Sequence, residues 1–279
     1  MAKEQATRLP LDNLQWRLFF IPDYNENESI FIYKVHHSLA DGIALVLSFF
    51  HMTDEPRYED YPSIMLRFSW LQDLIIKLLM PVYMVWLIFD ILALRRPERN
   101  GYKTVENKTK LTAHKILRFI PDVPTDLIKK RVKELSTPEC RITFNDILMT
   151  AVSKSIHDYL REKTDDKESK QTIMACPFSL RPAPKQLLDF DYNNDFAILP
   201  LKLRLVDDLG NGLRQINQDM NKLKKSMEPI GFCYLIKIVM QLPEFLRAYI
   251  LEDFCEKITF GFSNVPGPKT PWKTIGKEC

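Results

Sequence analysis

The run Val35-His36-His37-Ser38-Leu39-Ala40-Asp41-Gly42 holds the residues of this chain best suited to reactive chemistry. An imidazole with an unperturbed pKa near ~6.5 is the side chain matched to moving protons at neutral pH, so a general base is the first role the segment suggests. If the histidines end a strand, neighbouring side chains point to opposite faces and only one of the two can face a given pocket. The other is then structural. Asp41 sits where a turn can return its carboxylate beneath the histidine or pair it with an arginine, and Gly42 permits close approach of backbone or substrate. The same residues also suit a plain strand end followed by a helix cap. A metal site is the third reading, and it lacks a nearby His, Cys or Asp cluster to complete three or four ligands, so none is expected.

The elements that must position these residues are legible in the hydrophobic pattern. Residues 29–35 (SIFIYKV) read as a strand and residues 41–52 as a helix with Asp41 near its start, so a strand feeds a helix through a short turn. Further on, the pattern predicts a strand at 115–120, a short helix at 124–135 and a strongly periodic helix at 144–160. In the periodic helix Ile147, Leu148, Ala151, Val152, Ile156, Tyr159 and Leu160 share a face, and Thr143 with Asp146 resembles a capping box. Strands at 172–178 and 196–205, an amphipathic helix at 211–227, one or two apolar helices within 234–252 broken near Pro243, and a last strand at 257–262 complete the pattern. Strands alternating with helices imply an α/β fold with a helix-covered sheet. The polar run 95–112 reads as a crossover between an N-terminal part, 1–94, and a larger C-terminal part, 113–279.

With 279 residues, 46% of them hydrophobic and 27% charged, the chain can bury a real core, as one large domain or two ordinary ones. A net charge of only +3 gives no sign of a nucleic-acid binder. With eight glycines and neither G-x-G-x-x-G nor G-x-x-x-x-G-K-[ST], dinucleotide and P-loop readings lose their support. The five cysteines are widely spaced with no C-x-x-C pair, which points to free thiols, and the polar N-terminus lacks the apolar core of a signal peptide. Residues 74–94 are the most hydrophobic stretch, broken by Lys77 and Asp90 and followed by Arg95, Arg96 and Arg99. A buried helix, a transmembrane span kinked by Pro81, and an interfacial anchor with Trp70 and Trp86 at the lipid boundary all remain open, the anchor being the preferred one.

His36-His37-x-x-x-Asp41-Gly42 resembles the signature of acyltransferases with the chloramphenicol-acetyltransferase-like fold. Its surroundings narrow the resemblance to the wax ester synthase/diacylglycerol acyltransferase family: Pro10-Leu11-Asp12 leading to Trp16-Arg17-Leu18, Phe144-Asn145-Asp146-Ile147-Leu148, Pro177-Phe178-Ser179-Leu180-Arg181-Pro182 and Ser263-Asn264-Val265-Pro266-Gly267-Pro268, in the family's order. The resemblance implies a chloramphenicol-acetyltransferase-like sheet-and-helix sandwich, with an incomplete first subdomain and most of a second. Relative to the family pattern both ends are expected to be cut.

The family resemblance further implies an enzyme that moves a long-chain fatty acyl group from acyl-CoA to a long-chain alcohol, giving a wax ester, or to diacylglycerol, giving triacylglycerol. His37 would be the general base, His36 would support the turn and Asp41 would hold the loop. No cofactor is expected beyond acyl-CoA as substrate, and no nucleic acid as partner. Direct transfer needs no acyl-enzyme, in keeping with the lack of a G-x-S-x-G: residues 261–265 fail at the last position. Asn145 and Asp146 either face the site from a helix start or merely cap it. Residues 263–268, including Ser263, Asn264, Pro266 and Gly267, form either a shape-setting turn or a substrate contact. Arg181 is a candidate partner for Asp41 or for a coenzyme A phosphate. A membrane or lipid surface is the expected partner, placing the chain at the endoplasmic reticulum or plasma membrane or in the cytoplasm. The alternative is an inactive lipid-binding or membrane-associated homologue that keeps the motif.

Overall fold

The computed structural model describes residues 4, 7–26, 28–55, 69–91, 100–101, 116–179, 189, 191–265, 267, 273–274 and 277–278. Two strands, β1 (Trp16–Ile21) and β2 (Ile30–Val35), form an antiparallel hairpin in which Trp16 faces Val35 and Ile21 faces Ile30. Across it Phe20 stacks on Phe31 at 4.7 Å and Trp16 meets Tyr33 edge-on at 6.1 Å, pairs of the kind that each add a fraction of a kcal/mol to a sheet. Asp23 takes a positive φ of 50° in the connecting loop, a conformation that Asp tolerates better than most residues. The hairpin then feeds α1 (Gly42–His51), against which Tyr33 packs through an edge contact with Phe49 at 5.2 Å.

The larger part centres on a three-stranded sheet in the order β4-β3-β5, built from β3 (Gln171–Phe178), β4 (Ala197–Arg204) and the two-residue β5 (Phe260–Gly261). β3 runs antiparallel to β4 and parallel to β5. Along β4, Ala197, Leu199, Leu201 and Leu203 are buried at every second position while Lys202 and Arg204 face out, the period expected of a strand with one face on the core. Pro200 fits because β4 is an edge strand among the described residues, where a missing N–H breaks no interior ladder. The core on this face also takes in Met149 from α4 (Phe144–Lys163), Ile216 and Met220 from α5 (Leu209–Lys225), and Ile230 and Phe232 from α6 (Glu228–Val239). α3 (Thr125–Leu135) packs on α4, and α7 (Glu244–Glu256) leads into β5. A small pair, β6 (Lys273–Thr274) and β7 (Lys277–Glu278), lies near the C-terminus.

The apolar stretch at 74–94 forms part of α2 (Trp70–Phe89), which starts earlier than its hydrophobicity suggests because Ser69 and Gln72 make a reciprocal capping box. The helix runs through Pro81, and residues 92–94 lie outside the described residues. Met80, Met84 and Leu87 face the core, where Gly231 of α6 lets Tyr83 and Leu87 approach: a Cβ there would come 2.6 Å from the Tyr83 ring. The rest of α2 stays open, with Trp70, Leu78, Val82 and Val85 each more than two thirds exposed. By length and composition alone this helix is long and apolar enough to cross a membrane.

Three expectations are corrected. Residues 116–120 form no strand; Phe119 and Ile120 are exposed, and a β-prone run without a neighbouring strand among the described residues has nothing to pair with. The strand expected at 257–262 shortens to Phe260–Gly261. On α4, Leu160 is buried and Val152 and Ile156 pack against the core as expected, but Ala151 and Tyr159 are exposed and the buried face also takes in Asp146, Met149, Thr150 and Ser153. Polar side chains lie inside because each finds a partner: Thr150 Oγ1 donates to the Asp146 carbonyl, and Ser153 Oγ accepts from the Val206 N–H at 3.0 Å. The fold is thus mixed α/β, with consecutive antiparallel strands as well as strand-helix alternation. The crossover at 95–112 lies almost wholly outside the described residues.

Candidate active site

Asp41 ends the turn after β2 with extended backbone, and its Oδ1 accepts from the Ala44 N–H at 2.8 Å, capping α1. Its Oδ2 accepts from the Asp195 N–H at 2.9 Å, while its own N–H donates to the Asn193 carbonyl at 3.3 Å. A carboxylate only 3% exposed is thereby tied to the chain just before β4, so the loop from His36 to Asp41 is held against the larger part of the molecule. Gly42 would carry a Cβ at 3.4 Å from Val265, ordinary contact distance, so no crowding demands a glycine there.

The histidines sit on the turn just past β2 rather than on the strand itself, which removes the alternation argument for them. Their surroundings nevertheless differ. His36 folds back on its own turn, its Nδ1 accepting from the Ser38 N–H at 3.2 Å and lying 2.7 Å from Ser38 Oγ. His37 turns the other way: its Nδ1 lies 3.1 Å from Asn194 Oδ1, and its ring rests on Phe196 with centroids 5.6 Å apart. Asn194 Nδ2 donates to the His37 and Ser38 carbonyls at 2.8 and 3.2 Å.

His37 lines a cavity of about 490 Å³, within the range of small-molecule sites. Asp41, Gly42, Asn145, Asp146, Ser263 and Asn264 line the same cavity, so residues far apart in the chain meet there. The Asn264 amide donates to Asn145 Oδ1, joining the start of α4 to the segment after β5. The remaining wall is largely apolar, with Phe178, Leu199, Leu201, Met220 and Leu223 among its residues. His36 and Gly267 are not among the lining residues, and Arg181 and Pro266 lie outside the described residues.

Beneath this site Asp146 is fully buried, and its Oδ2 accepts from the Thr143 N–H, the Thr143 hydroxyl and Asn217 Nδ2 at 2.7–2.8 Å. The capping box expected from Thr143 and Asp146 is present, and Asn217 extends it to α5. Cys176 also lines the cavity, and burial pushes its thiol up to about 11. It is a thiol at neutral pH and a poor nucleophile. Its alkylation by iodoacetamide is expected to be slow at neutral pH and to rise roughly tenfold per pH unit toward pH 11, following the thiolate fraction. Mass spectrometry of the Cys176 peptide against pH checks this; fast labelling at pH 7 contradicts it.

Residues 193–279 match the family model of the WS/DGAT C-terminal domain. Over 95% of its length the chain is 26% identical to wax ester synthase/diacylglycerol acyltransferase 11 of Arabidopsis thaliana, covering 62% of that protein. The chain is thus similar to wax ester synthase/diacylglycerol acyltransferases. A second such protein of the same plant, wax ester synthase/diacylglycerol acyltransferase 5, is 23% identical over 94% of the chain and 60% of its own length. The chain therefore spans about three fifths of the length of these wax ester synthase/diacylglycerol acyltransferases. The matched C-terminal domain begins at Asn193, so it includes Asn194, Asp195, Phe196, Ser263 and Asn264, whereas the histidine turn lies upstream of it.

Sequence reasoning missed Asn194, Phe196, Cys176 and Asn217. For Asn194 the available signal was a run of Asp and Asn just ahead of a strand, residues 189–195, which reads only as a turn until the histidine loop is seen to rest on it.

Proposed function

We propose that this chain carries the site of an O-acyltransferase that moves a long-chain fatty acyl group from acyl-CoA to a long-chain alcohol or diacylglycerol. The observation that carries the reading is that His37 lines a largely apolar cavity together with Asn145, Ser263 and Asn264. His37 takes the proton of the acceptor hydroxyl as that oxygen attacks the thioester carbonyl. The new C–O bond forms, the C–S bond breaks, and the proton passes from the imidazole to the departing coenzyme A thiolate. Amide and hydroxyl groups at Asn145, Ser263 and Asn264 offer donors for a carbonyl oxygen gaining negative charge. The Cys176 thiol, kept protonated by partial burial, is poorly suited to a covalent intermediate, in keeping with direct transfer. His36 and Asp41 serve the turn: the first binds Ser38, the second holds the loop to Asp195.

The test is incubation of the protein with labelled palmitoyl-CoA and a panel of acceptors, hexadecanol and dioleoylglycerol among them, followed by separation of the lipids. Label in a wax ester or triacylglycerol supports the reading. Retention of palmitoyl-CoA by the protein with no ester formed overturns it and favours a lipid-binding role.

The same reading places the chain at a membrane surface, where such acceptors reside, through the open face of α2. Its exposed Trp70, Leu78, Val82 and Val85 form an apolar face suited to the headgroup–acyl boundary. Val82→Asp with Val85→Asp is expected to abolish co-sedimentation with phosphatidylcholine vesicles without unfolding the protein, since both side chains are more than 70% exposed. Undiminished sedimentation of the folded double variant contradicts the assignment.

A further inference from the structure

We infer that Asn194 is a positioning residue that sets the tautomer of His37, placing its proton on Nδ1 and leaving Nε2 as the base. Only the kinetic part of this inference rests on the proposed transfer reaction. The assignment follows from donor and acceptor chemistry. One terminal atom of the Asn194 amide lies 2.8 Å from the His37 carbonyl and 3.2 Å from the Ser38 carbonyl. Carbonyl oxygens only accept, so that atom must be the NH₂ group, and the amide cannot be flipped without setting oxygen against oxygen twice. The atom 3.1 Å from His37 Nδ1 is therefore the amide oxygen, which only accepts, so Nδ1 must carry the hydrogen. In a neutral imidazole this leaves the lone pair on Nε2.

The neighbouring histidine has the opposite arrangement. His36 Nδ1 accepts from the Ser38 N–H, which puts the proton of neutral His36 on Nε2. Adjacent histidines thus hold opposite tautomers, and the difference comes from what each Nδ1 meets. Asn194 is itself placed by its neighbours, because Asn193 accepts from the Asp41 N–H and Asp195 donates to the Asp41 carboxylate. Three consecutive residues thereby clasp the histidine turn. When Nε2 takes a proton, the Nδ1–H bond to Asn194 becomes charge-assisted and strengthens, which stabilises the imidazolium where it forms.

The test combines spectroscopy with kinetics on the whole chain. With ¹⁵N-labelled histidine and a His37→Gln sample for assignment, long-range proton–nitrogen correlation at alkaline pH reads the tautomer of each ring. The expected result is Nδ1–H for His37 and Nε2–H for His36. Asn194→Ala is expected to release His37 from the Nδ1–H form and to lower kcat roughly 10–100-fold with little change in KM, the scale seen when the outer partner of a metal-bound histidine is lost. A wild-type His37 protonated on Nε2, or an Asn194→Ala protein with the wild-type tautomer, overturns the inference. Absence of transfer by the wild-type protein overturns the reaction instead, and the tautomer still decides the role of Asn194.

Discussion

His37→Ala is expected to lower acyl transfer by roughly 10²–10⁴-fold, the usual share of a general base, while leaving the protein folded. The two halves of this expectation rest on different observations. The loss of rate follows from the place of the ring on the cavity wall, beside the amides of Asn145 and Asn264. The intact fold follows from its exposure: the side chain gives up one hydrogen bond to Asn194 and a ring contact with Phe196, a cost of about 1 kcal/mol at a solvent-facing site. His36→Ala removes an acceptor within the turn but nothing from the cavity, so its rate should fall far less. Initial rates of ester formation, with thermal melts of the same samples, check the pair. Equal losses in both variants would mean that the turn, and not His37, is what the reaction needs.

The largest loss of stability is expected at Asp146. Its fully buried carboxylate gathers the Thr143 N–H, the Thr143 hydroxyl and the Asn217 amide on one oxygen, closing the start of α4 and tying it to α5. Asp146→Ala leaves those donors unsatisfied out of water and removes the helix cap, so unfolding should become easier by about 3–5 kcal/mol. Asp146→Asn tests the cause. The other carboxylate oxygen is buried with no hydrogen-bond partner among the described residues, so an asparagine can keep its oxygen on the three donors but leaves its NH₂ group unpaired there. The Asn variant should therefore lose clearly less stability than the Ala variant, as read from denaturant midpoints. If it falls as far as the Ala variant, the network depends on the charge and not on the accepting oxygen.

Where local signals and tertiary packing agree, the elements were legible in the sequence. Asp41 before an apolar run announced α1, and Thr143 with Asp146 announced α4, because a cap is a local device needing only a few neighbouring residues. β4 was legible from its alternation of leucines with charged residues. β1 was not, since Trp16-Arg17-Leu18-Phe19-Phe20-Ile21 has no clean two-residue period and owes its conformation to pairing with β2. The run at 116–120 shows the converse: high strand propensity without a partner gives no strand among the described residues.

The candidate site divides in the same way. The histidine motif stood out because its residue types are scarce and chemically specific. Choosing between the two rings required knowing that one Nδ1 meets Ser38 while the other meets Asn194, from a segment more than 150 residues away. The buried face of α4 was read only in part for a related reason: Val152, Ile156 and Leu160 do face the core, but Thr150 and Ser153 are polar by type, and only their hydrogen bonds make burial tolerable. Asn217, which completes the Asp146 network from α5, could not be told from any other asparagine of an amphipathic helix.

The most direct measurement of the central claim is a crystal structure of the protein with a non-hydrolysable thioether analogue of palmitoyl-CoA and a long-chain alcohol. The acyl chain is expected in the cavity lined by Leu199, Leu201 and Met220. The alcohol oxygen is expected within about 2.6–3.2 Å of His37 Nε2, the reach of a general base. An analogue bound away from that cavity, with His37 facing only solvent, would contradict it.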